Sequence, residues 1–394
     1  MAERVPELAV FACRVDSEVM SLDSRERLQR AFRGESVDRV PISLYEFDGF
    51  YDSWIRGCPG YAEVLSYAEG KTDKMHFWTP SDSKPVLFYG VIENENIERT
   101  SWEAEGSQYT KTSIRTPKGT VHSVSREDRG IHTTWTIEHL CKDQEDAKKI
   151  LSMPYEPWRP PVDSFSALDE RLGGSGIVMG DIPDALCLTV ELFGLTEFLK
   201  LYRKREELVY ELMGFFQERI RNYLSHLLRK GAATLYRIVG PEYATPPFLH
   251  PREFERLVTS YDAELVDLLH RYRGYARLHS HGKVKAVLNS VREMGVDAVD
   301  PLEPPPDGDV ELREARRILG SEVALIGNIE ERLLEVGSRR EIERRVRKAI
   351  NEGASEGGFI LCPTAMPIKT PLGKKVKENI IHYIDCGLRY GRLT

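Results

Sequence analysis

Downstream of residue 161 the chain alternates between two hydrophobic periods. Short, nearly continuous apolar runs at 176–181, 232–239, 275–278, 297–300, 323–328 and 359–362 read as strands buried on both faces. Between them, at 164–172, 198–229, 251–271, 283–294, 310–319 and 339–352, apolar residues recur at the three-to-four-residue spacing of amphipathic helices. Alternation of this kind predicts a parallel sheet with helices packed against it. Upstream, Asp38-Arg-Val-Pro-Ile-Ser-Leu44 reads as a first strand. A helix over 23–32 precedes it, with Asp23 or Ser24 as its cap and Gly34 at its end. Seven or eight such units, with no glycine-rich loop after the first strand, favour an α/β fold of the (β/α)8 TIM-barrel kind over a doubly wound sheet.

Residues 84–136 break this rhythm. Their short β-branched and aromatic runs at 86–92, 107–114, 119–124 and 131–135, with a turn at Thr116-Pro-Lys-Gly119, predict a strand meander inserted beside the barrel. A helix over 145–151 and a proline-rich surface linker at 153–161 follow. Residues 1–22 carry no periodicity and read as an N-terminal arm or oligomer contact, which leaves a homodimer open without deciding the assembly. The whole of 1–394 is expected to be one domain, with its main barrel units from about 160 onward.

Composition narrows the classes. Hydrophobic residues make up 41% and charged residues 30%, the balance of a globular enzyme. A net charge of −7 without a dense basic run argues against nucleic acid as a partner. No apolar stretch approaches the roughly 18 residues of a membrane span. The opening residues lack a signal-peptide core, and the six cysteines are scattered without a CxxC pair. A reducing cytoplasm is the expected compartment, where a selected cysteine serves as ligand or nucleophile rather than in a disulfide.

In a parallel barrel the C-terminal ends of the strands share one face, and that face carries the site. The polar residues at those ends are Asp181, Glu242, His279 with His281, Asp300, Asn328 and Cys362. Side chains two apart on a strand point the same way, so His279 and His281 can face one metal, and Cys362 can complete a three-ligand zinc set. Glu242, which follows Gly-Pro, could serve as a fourth ligand or hold a ligand in place. Asp181, Asp300 and Asn328 suit either helix capping or substrate binding. The other cysteines read as small apolar residues.

Several segments together resemble the uroporphyrinogen decarboxylase superfamily: Arg25-Glu-Arg-Leu…Ala31-Phe-Arg-Gly34…Asp38-Arg-Val-Pro41, His279-Ser-His-Gly282, Gly295-Val-Asp-Ala-Val, Gly327-Asn-Ile and Gly357-Gly-Phe-Ile-Leu-Cys362-Pro. The resemblance covers most of the chain outside the arm and the insertion, and it implies a (β/α)8 barrel. The decarboxylases of that superfamily grip a tetrapyrrole's carboxylates with arginines after the first strand. Here that place reads Pro41-Ile-Ser-Leu-Tyr-Glu46-Phe-Asp48-Gly-Phe, without arginine. The resemblance therefore favours the corrinoid-dependent methyltransferase branch, whose zinc sits on a His-x-Cys…Cys pattern. By that likeness His279 and Cys362 are ligands, and His281 stands where the branch has cysteine.

Exchanging a thiolate for a neutral imidazole raises the site's net charge by one unit, which makes zinc a stronger Lewis acid toward oxygen. The implied reaction is O-demethylation, with the methyl group of a methoxylated, aromatic donor passing to the Co(I) corrinoid (cobalamin) of a partner protein. Glu242 is the catalytic carboxylate in this reading, and Tyr45, Phe47, Tyr243, Asp181 and Asn328 line the substrate pocket. Three other readings stand beside it: an acceptor-side methyltransferase feeding a thiol or pterin, a decarboxylase-like lyase, and a non-catalytic tetrapyrrole-binding protein.

Overall fold

The computed structural model describes residues 21–46, 53–232 and 234–392. Seven parallel strands form one sheet: β1 (Lys74–Phe77), β2 (Gly176–Pro183), β3 (Leu235–Val239), β4 (Tyr275–Ser280), β5 (Ala298–Pro301), β6 (Ala324–Ile329) and β7 (Phe359–Pro363). Each pairs with the next in chain order. The extended segment 40–43 fits between the two edges. Leu361 N donates to Pro41 O and Ser43 N to Leu361 O, while Asp73 N, next to β1, donates to Ile42 O. The sheet thus closes into an eight-staved (β/α) barrel, as the alternation predicts.

Two elements differ from the sequence reading. The expected first strand at 38–44 is only this bridging stave, and the strand that follows it in the barrel, β1, went unpredicted. β1 is four residues long, Lys-Met-His-Phe, too short and too polar for a periodicity argument. The insertion is a four-stranded antiparallel sheet over Ile97–Ala104, Ser107–Thr116, Gly119–Asp128 and Thr134–Glu138. Its first strand, Ile-Glu-Arg-Thr-Ser-Trp-Glu-Ala, is largely exposed and carries no apolar alternation.

Inward-facing residues fill the barrel in layers. Met75, Ile177, Met179, Leu235, Ala298, Ala324, Ile326 and Ile360 form the apolar lower layers. The helix Ser24–Phe32, capped by Asp23, plugs the bottom with Leu28, Ala31 and Phe32, and Phe32 stacks on Tyr275. Beside the plug, buried Asp73 accepts from Arg27 (2.6 Å), Arg39 (2.7 Å) and the Ile42 N–H (2.8 Å), so both charge and backbone are satisfied where the barrel closes. A second staple lies outside. The guanidinium of Arg316 donates to the carbonyls of Gly320, Val323, Gly353, Gly357 and Gly358. Among the described residues no helix is long and apolar enough to cross a membrane.

Candidate active site

The same inward parity that packs the barrel floor places polar side chains at its mouth. On β3 and β4 the sequences Leu-Tyr-Arg-Ile-Val and Tyr-Ala-Arg-Leu-His-Ser alternate, so Arg237, Arg277 and His279 point inward. Each arginine meets carboxylates there. Arg277 holds Asp300 with two bonds of 2.6 Å, both partners almost wholly buried. Arg237 holds Asp181 (2.8 and 3.2 Å), Glu46 (2.6 Å) and the Tyr45 hydroxyl (3.0 Å). Bidentate pairing is the arrangement in which a buried ion pair recovers most of its desolvation cost.

Asp300 also accepts from His279 Nδ1 at 2.9 Å. Burial alone would raise the Asp300 pKa, but the Arg277 and His279 charges and hydrogen bonds outweigh it and hold the carboxyl well below the usual carboxylate range. An ionised Asp300 fixes the His279 tautomer, with the proton on Nδ1 and Nε2 left as the acceptor. The Tyr45 hydroxyl stands 3.3 Å from that Nε2.

His281 repeats the arrangement one layer higher. Its Nδ1 is 3.0 Å from Glu303 Oε1, and Glu303 Oε2 accepts the Gly282 N–H at 2.7 Å. Burial lowers the His281 pKa, and the hydrogen bond and charge of Glu303 more than offset that, leaving it above the ordinary imidazole value. The two imidazoles meet edge to face with centroids 4.7 Å apart.

The remaining predicted residues divide. Glu242 lies in the turn Pro241–Ala244, and its charge acts on His281, while its Oε2 is buried without a hydrogen-bond partner among the described residues. Tyr243, beside it, is half-buried, and burial followed by the nearby Cys187 and Glu242 pushes its hydroxyl pKa up. Asn328 is buried at the end of β6; its Nδ2 donates to Leu302 O (3.2 Å), and Oδ1 has no partner among the described residues. Gly327 before it allows this close approach, since a Cβ there would fall 2.2 Å from Pro301 O. Asp181 and Asp300 are both paired with arginines, Asp181 with Arg237 and Asp300 with Arg277. Phe47 lies outside the described residues, as do Phe50 and Tyr51.

Cys362 faces the barrel interior beside Asn328 on β7. Burial pushes its thiol up to about 12, tempered by the nearby Arg277 charge. Among the described residues no three His, Cys, Asp or Glu side chains stand close enough together to hold a metal ion. Zinc chemistry is therefore fitted in part. The histidine pair has the donor set of a metal site, since both Nδ1 atoms rest on carboxylates and leave Nε2 for a ligand bond. The structure does not bring Cys362 together with that pair.

Sequence reasoning did not single out Glu303 or assign the two arginines a role. An arginine at an inward position of an otherwise apolar strand was the available signal, because a buried cation requires a partner. Glu303 sits in the run Pro-Leu-Glu-Pro-Pro-Pro, which signals only a loop.

The family profile described as Uroporphyrinogen decarboxylase (URO-D) matches residues 128–376, more than half of the chain. The chain belongs to the uroporphyrinogen decarboxylase family. Uroporphyrinogen decarboxylase 2, chloroplastic, of Oryza sativa subsp. japonica is 24% identical over 245 residues, 60% of this chain and 59% of that protein. The chain thus spans about three-fifths of that relative's length. The uroporphyrinogen decarboxylase of Geobacter sulfurreducens is 25% identical over 263 residues, covering 64% of this chain and 71% of its own. Among solved structures, a methyltransferase from Methanosarcina mazei superposes with a TM-score of 0.60 at 15% identity, covering 94% of this chain and 99% of that one. At that identity the likeness is one of fold, and the family's barrel is the one observed.

Proposed function

We propose that this family member is a methyltransferase that exchanges a methyl group between a small methylated compound and the corrinoid of a partner protein, with O-demethylation of a methoxylated aromatic donor as its direction. The observation that carries the reading is the His279–His281 pair, each imidazole held through Nδ1 by a carboxylate so that Nε2 is left at the mouth. The fold shared with the Methanosarcina mazei methyltransferase supports it.

The decarboxylase reading is disfavoured by charge. The two mouth arginines are neutralised by Asp181, Glu46 and Asp300, so no free guanidinium among them remains to grip a polycarboxylate. In the proposed enzyme Asp300 and Glu303 set the tautomers of the two histidines. Asn328 Oδ1 and Glu242 Oε2, both without partners among the described residues, offer acceptors to a bound substrate. Tyr45 and Arg237 form the floor beneath. The residues that would hold zinc are His279 and His281, and the metal would supply polarisation of the donor oxygen when bound.

The test is a donor screen with reduced cobalamin. A methyl-Co(III) spectrum that appears only with a methoxylated compound supports the direction. Demethylation of methyl-Co(III) by an added thiol or pterin assigns the acceptor side instead. Conversion of uroporphyrinogen to a less carboxylated product would overturn methyl transfer altogether. Metal analysis adds an independent reading: one zinc per chain, lost in His279→Ala, is expected.

A further inference from the structure

The inserted sheet has two outer strands, and they are finished differently. Thr134–Glu138 is five residues long and meets its neighbour through an irregular register at Val124/Ser125. Shortness and a bulge both protect a sheet edge from further pairing. Ile97–Ala104, at the other end of the sheet, pairs with Ser107–Thr116 over eight successive positions without a break. Its outer edge meets no other strand among the described residues. Both of its faces are open as well, since every residue from Glu98 to Glu103 is exposed. A long, regular edge of this kind is a template for one more strand.

The charges along the edge suit one strand in particular, a second copy of itself. Antiparallel strands in one sheet set side chains of the same face opposite each other. A two-fold axis normal to the sheet therefore passes through a residue, and it pairs only positions an even number apart. The strand's charged residues are Glu98, Arg99 and Glu103, and among them only Arg99 and Glu103 are opposite charges at even spacing. Neither has an ion-pair partner among the described residues. Pairing them fixes the axis on Ser101. Arg99 of each copy then faces Glu103 of the other, Thr100 faces Trp102, and Glu98 faces Ala104, so no like charges are opposed. The exposed Trp102 already stacks on Tyr109, with centroids 5.5 Å apart. Across the axis it gains the other copy's Trp102 as a diagonal neighbour, about 7–8 Å away and within reach of aromatic rings. Self-complementarity of this sort is what a two-fold contact requires.

We propose that the chain forms a homodimer by antiparallel pairing of Ile97–Ala104 with the same strand of a second copy, in the register centred on Ser101. The two four-stranded sheets then join into one of eight strands. Nothing in this pairing depends on the reaction at the barrel mouth.

Sedimentation velocity of the full chain over a concentration series tests the pairing. A monomer–dimer equilibrium is expected, and a monomer at every concentration would overturn it. Arg99→Glu and Glu103→Arg should each weaken association about tenfold or more, because each opposes like charges at two places. The double swap Arg99→Glu with Glu103→Arg should restore the parent association. A dimer that neither single swap weakens uses another surface and overturns the proposal, and a double swap that stays dissociated overturns the register. Ser101→Cys gives a reading that leaves the charges alone. Directly opposed residues have Cα atoms about 4.5–5.5 Å apart, inside the span of a disulfide. Mild oxidation should yield a covalent dimer of Ser101→Cys, but not of the parent or of Thr136→Cys on the opposite edge. No cross-link in Ser101→Cys, or equal cross-linking in all three, would overturn the proposal.

Discussion

The two ends of this barrel both bury arginines, yet they are finished differently. At the bottom, Arg27, Arg39, Asp38 and Asp73 satisfy one another and the backbone around an apolar plug. At the mouth, Arg237 and Arg277 are equally well paired, but the ring around them keeps acceptors without a partner among the described residues: Glu242 Oε2 and Asn328 Oδ1. A network built for stability alone closes its polar atoms, as the bottom does. Leftover acceptors, set beside two oriented imidazoles, mark the end that awaits a substrate.

The contrast can be broken by substitution. Asp300→Ala should have the largest effect, since it leaves Arg277 buried without a counter-charge and His279 without its orienting partner. A loss of about 3–5 kcal/mol is expected, read as a lower urea midpoint, together with loss of methyl transfer in the surviving folded protein. Asp73→Asn should cost about 2–4 kcal/mol in the same assay while turnover per folded molecule stays at the parent level. If its turnover falls with Asp300→Ala, the two ends do not differ in purpose.

Glu303→Gln should sharpen the comparison from the other side. The His281 side chain is 39% exposed, so solvent screens this pair and stability should change by less than about 1 kcal/mol. Activity or metal content should nevertheless fall about 10–100-fold, the usual consequence of removing the carboxylate behind a histidine ligand. The smallest effect belongs to acid. Burial raises the Asp38 pKa, and the Arg27 hydrogen bond and charge more than reverse that, so its folded value lies below the unfolded one. Its stabilisation is present above the ordinary aspartate value and is lost as pH falls through the folded value. Melts of Asp38→Asn should therefore show a shallower acid limb than the parent.

How far the sequence reached follows the same division. The alternation from Gly176 onward was legible because parallel strands buried on both faces leave a signature in composition alone. The paired histidines and Glu242 were legible because polar residues at the ends of apolar runs stand out. The lower barrel was less so: β1 offers two polar side chains in four residues, and Ile97–Ala104 lies on an exposed sheet with nothing to alternate against. Partnerships across strands were hidden altogether. That Arg237 would spend its charge on Asp181 and Glu46 depends on tertiary approach between residues scores of positions apart. Sharing a face of the barrel also says nothing of distance, and among the described residues Cys362 forms no three-ligand group with the two imidazoles.

The insertion determines who can reach the mouth. It leaves the barrel after β1 and returns before β2, and its turn at Gly130–His132 hydrogen-bonds with Ile368 and Thr370 beyond β7. On the other flank Phe88 meets Phe216 edge to face and Tyr89 stacks on Tyr223, both on the helix Glu206–Arg229. One wall of the rim, from β7 round to β2, is thereby occupied by the protein itself. Under the proposed function, a partner protein carrying a corrinoid to His281 would have the opposite arc, over β3 to β6, as its landing side.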